Sequence, residues 1–134
     1  MAPCHRFVIV ALVLGPVLAS CREVTSPGIE GRWAATGIEL TAQPSSAELR
    51  LLCAAPAQLN HGLLPDSAGN ITFSTLVQPV ELQAPYRVDF VGRLVADALV
   101  ATVTTTRTGS NPVVHRYTMF RNGDAGFDKI FCAL

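Results

Sequence analysis

The chain has 134 residues, with ten basic and ten acidic side chains and no formal net charge. That length is enough for one ordinary domain and too short for two. A neutral balance with only 15% charged residues excludes the concentrated basic face that a nucleic-acid partner requires.

The amino terminus is organised as an export signal. Arg6 is the only fixed side-chain charge before the unbroken apolar block Phe7–Leu14, and Gly15-Pro16 interrupts that block. The run is shorter than the roughly 20 residues a bilayer core demands, and Pro16 opposes a continuous helix through it. Leu18-Ala19-Ser20-Cys21 then resembles the lipobox of bacterial lipoproteins. The resemblance implies that Met1–Ser20 is removed and that Cys21 receives fatty acyl chains of the palmitate kind. Two or more such chains hold a protein on a membrane stably, whereas one does not. Arg22 stands where aspartate is associated with inner-membrane retention, so the resemblance implies an outer-membrane address in the cell envelope.

Loss of Met1–Ser20 leaves 114 residues, with nine basic against ten acidic side chains. Cys21–Gly28 is polar and turn-rich and reads as a short tether to a domain over Ile29–Leu134. Cys4 leaves with the signal, and Cys53 and Cys132 remain as an even pair in a compartment that permits oxidation. A disulfide between them is expected; the alternative is two buried, unpaired thiols.

From Ile29 onward the hydrophobic period is two. Gly31–Thr41 reads as a first strand whose inward phase shifts from Trp33 and Ala35 to Ile38 and Leu40, which suggests a bulge near Gly37. Ala47, Leu49, Leu51 and Cys53 alternate with Glu48 and Arg50 along a second strand. Ala54–Gly69 holds Pro56, Gly62 and Pro65 and reads as a long loop with room for one helical turn. Asn70–Val77 is strand-like, and a brief strand is expected around 80–82. Tyr86, Val88 and Phe90 alternate with Arg87 and Asp89, with Gly92 able to bend that strand. Ala96-Asp97-Ala98 reads as a tight turn into the β-branched stretch Leu99–Thr106. After Gly109–Pro112, Val113–Arg121 reads as the next strand. Asn122-Gly123 signals a type I′ hairpin, and Gly126–Cys132 is expected to close the sheet.

About seven or eight short strands without an amphipathic helix predict an all-β fold. An antiparallel up-and-down barrel is expected, with a β-sandwich as the alternative. Gly31-x-Trp33 at the first strand resembles the opening of lipocalin and avidin-like barrels. In those barrels the tryptophan plugs one end, the glycine permits close packing, and lipocalins add an arginine from a late strand. Arg116 and Arg121 are both candidates for that arginine, although the chain is shorter than a typical lipocalin and lacks its helix.

Chemistry-bearing residues are sparse. His61, Asp66 and Ser67 fall in one loop, without the Gly-x-Ser-x-Gly or Ser-x-x-Lys pattern of a nucleophile, so a polar surface loop is expected. His115 adjoins Arg116 and Tyr117, and Asp124 and Asp128 follow the last turn, but no metal-ligand spacing is present. The aromatic residues are spread over most strands, as a shared core requires. No cofactor, metal or catalytic activity is therefore expected. The expected role is a membrane-anchored binding barrel for a small apolar or amphipathic ligand. The alternative is a structural lipoprotein that meets another envelope protein through the Ala54–Gly69 loop.

Overall fold

A computed structural model describes residues 28–79, 84–129 and 132. It contains β1 (Gly31–Ala35), β2 (Ile38–Gln43), β3 (Ser46–Leu51), β4 (Ala57–Leu59), β5 (Asn70–Val77), β6 (Tyr86–Val95), β7 (Ala98–Arg107) and β8 (Val113–Arg121). A single 3₁₀ turn, Phe127–Lys129, follows. All eight strands belong to one antiparallel sheet in the order β4-β3-β2-β1-β8-β7-β6-β5. Each strand pairs with its neighbour in sequence except across β4–β5, and β1 pairs with β8. The sheet therefore curls into a nearly closed up-and-down barrel whose seam lies between β4 and β5, which contact one another without a ladder.

The period-two pattern explains the strands. On β2, Ile38, Leu40 and Ala42 are buried, and they lie opposite Leu51, Leu49 and Ala47 of β3. Their outward neighbours Glu39 and Arg50 also face each other, and Glu39 carries both Arg32 (2.7 Å) and Arg50 (3.5 Å). Across β5 and β6, Phe73 lies opposite Phe90, with ring centroids 4.8 Å apart and planes nearly parallel. Trp33, Phe90, Leu40, Leu49, Ile71, Leu99 and Met119 fill the interior with almost no exposure. Burial of this apolar set is the main favourable term for a domain of this size.

Strand boundaries differ from expectation in three places. The phase shift in Gly31–Thr41 comes from a two-residue turn, Thr36-Gly37, between separate strands β1 and β2, so no bulge is needed. Gly37 supplies a φ of 84° there, and Ala35 and Ile38 form the closing pair. The expected loop Ala54–Gly69 contains a short strand, β4, and no helical turn among the described residues. The strand expected around 80–82 lies outside those residues.

The third difference is at the carboxyl end, where the described residues Gly126–Lys129 and Cys132 of the segment expected to close the sheet form no strand. Asn122 takes a φ of 52°, but Gly123 does not take the positive φ that a type I′ turn also demands. β1 already has β2 on one edge and, at Trp33 and Ala34, β8 on the other, so a returning strand finds no free edge on β1 there. Instead the chain doubles back over the outside of β1. Arg32 Nη1 donates to Gly123 O at 2.7 Å, and Gly37 N donates to Ala125 O at 2.8 Å. That strap explains why Ala34, which alternates with inward Trp33, is nonetheless only 1% exposed.

Meander connectivity sorts the connections between two ends. β2–β3, β4–β5 and β6–β7 turn at the end where β1 begins; β1–β2, β3–β4, β5–β6 and β7–β8 turn at the other. The strap ends at this second end, where Cys132 is bonded to Cys53 with Cα atoms 5.3 Å apart.

Candidate ligand-binding mouth

The end where β1 begins is plugged. Ile29 and Trp33 are both buried, and Trp33 Nε1 donates to Ile29 O at 2.7 Å. Arg121 lies opposite Trp33 in the β1–β8 register, so its side chain points to the same face, with its guanidinium 4.4 Å from the indole centroid. The same guanidinium donates to Glu30 O (2.5 Å) and Gly28 O (3.0 Å), tying the entering chain to the last strand. Gly31 has a φ of 117°, and a Cβ there would stand 2.8 Å from Arg121 Nη1. Arg116 pairs with Thr102 on the outward phase and takes no part.

Among the described residues the other end is open, and the opening is written into β7 and β8. Inward positions on β7 change from Ala101 and Val103 to Thr105 and Arg107. On β8 they run from buried Met119 through half-buried Tyr117 to exposed His115. β1 stops at Ala35 and meets β8 only at Phe120 and Arg121, so residues 113–119 of β8 have no described strand on that side. The wall is notched there, and a cavity of about 460 Å³ opens into it. Leu51, Leu52 and Ala54 line one side, and Thr105, Arg107, His115 and Tyr117 the other, with Tyr86 between. A volume of this order is in the range of small-molecule sites.

Tyr86 forms part of the wall. Its hydroxyl donates to Ala55 O across the barrel end, and the Arg107 guanidinium lies 5.9 Å from its ring centroid. Burial raises the Tyr86 phenol above its ordinary pKa, with Arg107 acting in the opposite sense; burial likewise raises Tyr117. The His115 and Tyr117 rings, two residues apart on one face, have centroids 6.1 Å apart. A wider hollow of about 650 Å³ lies beside the disulfide, but its arginine, Arg50, is already engaged by Glu39 and by the Phe127 ring at 5.0 Å.

The residues marked in the sequence are dispersed. Cys53 and Cys132 are bonded and exposed, which removes the alternative of two buried thiols. Cys21 lies outside the described residues. His61 Nδ1 sits 2.9 Å from Gly62 O, whereas Asp66 accepts from Ala68 N and Asn70 N at 2.9 Å each. Those amides, Asn70 first, hold the Asp66 carboxyl below the usual range. The loop's histidine and carboxylate thus serve separate backbone turns. Asp124 accepts from Gly126 N and Lys129 Nζ, both at 2.8 Å, and Lys129 leads in lowering its pKa. Among the described residues no group of His, Cys, Asp or Glu could hold a metal ion.

Arg107, Thr105 and Tyr86 were not singled out by motif. Their signal is the switch from apolar to polar at inward positions of β7, which becomes informative only once the register assigns the inward face. No family model matches the chain, and neither the curated proteins nor the solved structures yield a match to it.

Proposed function

We propose that this chain is a bacterial lipoprotein, acylated on Cys21 and held on a membrane of the cell envelope, whose barrel binds a small amphipathic molecule. The observation that supports the binding role is the cavity of about 460 Å³ at one end of an otherwise filled barrel. The anchoring rests on the Leu18–Cys21 pattern, and Gly28, where the described chain begins, is held against Arg121 at the opposite, plugged end. The proposed role is capture or carriage without chemistry, since His61 and Asp66 are spent on separate backbone contacts.

Two measurements test this. Cys21→Ser is expected to move the protein from the membrane fraction to the soluble fraction; unchanged sedimentation with membranes overturns the anchor. Native mass spectrometry of gently extracted protein is expected to show a non-covalent adduct that Thr105→Trp, which fills the mouth, removes. An adduct absent from both proteins overturns the binding role.

The second reading, contact with another envelope protein, is favoured by Leu64, which is 85% exposed in the β4–β5 connection. Crosslinks from position 64 in whole cells, with no adduct at the mouth, would select it.

A further inference from the structure

We propose that the mouth selects a monoanionic amphiphile, a carboxylate head paired with Arg107 and an apolar body lying along Leu51, Ala54 and Tyr117. This rests on the mouth being a binding site and adds the chemical class of its occupant.

Charge carries the inference. Among the described residues, Arg107 is the only permanently charged group lining the mouth, and no described aspartate or glutamate lines it. The ion pairs among the described residues join Arg32 and Arg50 to Glu39, Arg87 to Asp89, and Lys129 to Asp124; Arg107 is in none of them. Asp89, the carboxylate on the neighbouring strand, alternates with inward Val88 and Phe90 and is bonded outside the barrel to Ser74 at 2.6 Å. The Arg107 guanidinium lies 5.9 Å from the centroid of the Tyr86 ring, which orients the cation without neutralising it. A planar five-donor fork at the lip of a recess with both polar and apolar lining is matched by a carboxylate, which accepts two parallel N–H bonds. One fixed positive charge is balanced by one negative charge, which favours a monoanion over a doubly charged phosphate monoester.

The remaining lining chemistry fits the rest of such a molecule. The Tyr86 hydroxyl is committed to Ala55, so that ring offers a face and not a donor. Leu51, Ala54 and the Tyr117 ring give an apolar track inward from Arg107, towards the filled core at Met119 and Val103. A neutral amphiphile would gain the apolar contact but leave the guanidinium without a counter-ion. A cationic one would meet repulsion.

The test uses the full acylated protein in phosphatidylcholine nanodiscs, with empty nanodiscs as the blank, and equilibrium dialysis against four probes. Octanoate and octanol share a chain and differ in charge, octylammonium reverses the charge, and phenylpropionate keeps the carboxylate on an aromatic body. Octanoate is expected to bind about tenfold tighter than octanol, the scale of one charge-assisted interaction. Arg107→Gln is expected to bring octanoate to the octanol level while leaving octanol unchanged. Arg116→Gln, on the outward face of β8, is expected to change neither. Equal binding of octanoate and octanol to the wild type, preference for octylammonium, or loss of both octanoate and octanol in Arg107→Gln overturns the assignment. Binding of octanol alone overturns the charge assignment but keeps the mouth as a site, whereas binding of no probe removes the mouth itself. A preference between octanoate and phenylpropionate tells an alkyl from an aromatic source, and either supports the carboxylate class.

Discussion

The Arg121 guanidinium lies 4.4 Å from the centroid of the Trp33 ring, joining the last strand of the barrel to the first. It also caps the carbonyls of Gly28 and Glu30, so one side chain holds the plug, the entering chain and the β1–β8 closure. Arg121→Ala is expected to cost about 1–3 kcal/mol, combining a partly exposed cation–π contact with two charged hydrogen bonds. Trp33→Phe is expected to cost a similar amount by leaving Ile29 O without its donor. Urea unfolding followed by circular dichroism measures both. If Arg121→Ala unfolds at the wild-type midpoint, the closure does not depend on this contact.

The wall around Phe90 leaves no room. A Cβ at Gly92 would stand 2.7 Å from Phe90 Cε1 and 3.2 Å from Leu99 Cδ1, and Phe90 is itself held by its stack on Phe73. Gly92→Ala is therefore expected to destabilise by about 1–3 kcal/mol through overpacking. Phe90→Ala is expected to cost about 3–5 kcal/mol through the cavity it leaves. The same unfolding measurements separate the two, and a neutral Gly92→Ala would mean that the Phe90 ring has another place to go.

The bond between Cys53 and Cys132 closes a loop of 79 residues in sequence separation and staples the outer strap to the β3–β4 connection. The chain-entropy account places its contribution at about 4–5 kcal/mol. Reduction, or the double substitution Cys53→Ser with Cys132→Ser, is expected to lower stability by up to about that amount. Thiol counting on the denatured protein before and after reduction checks the premise, because reduction that frees no additional thiols would remove it.

Both tyrosines of the chain have phenol pKa values above 10.0 because burial disfavours the phenolate. An unfolded chain releases these protons at a lower pH than the folded one. Their contribution to stability is therefore fully present below pH 10.0 and is lost as the pH rises through the folded-state values. A near-ultraviolet titration is expected to show both phenols ionising later in the native protein than in denaturant. Tyr117→Phe is expected to leave one delayed phenol and a shallower alkaline loss of stability. An unperturbed native titration curve would place both rings in water.

The strands were legible in the amino-acid order because period-two alternation is a local property. Ile38 and Leu40, Ala47 and Leu49, or Val88 and Phe90 declare a buried face without reference to any partner. The turn at Thr36-Gly37 left a trace too, as a change of phase, but a bulge leaves the same trace. Pairing Ala35 with Ile38 distinguishes the two.

What the amino-acid order determined by itself is the all-β class and the inward faces, both set by neighbours a few residues apart. Tertiary structure decided which arginine covers Trp33, because Arg116 and Arg121 differ only in their register against β1, a strand about 90 residues away in the chain. It also decided that the carboxyl-terminal segment straps the barrel instead of joining it, since both edges of β1 are taken at Trp33 and Ala34. The mouth arises in the same way: β1 ends while β8 continues, and Arg107, Tyr86 and Tyr117 converge only once the sheet has curled.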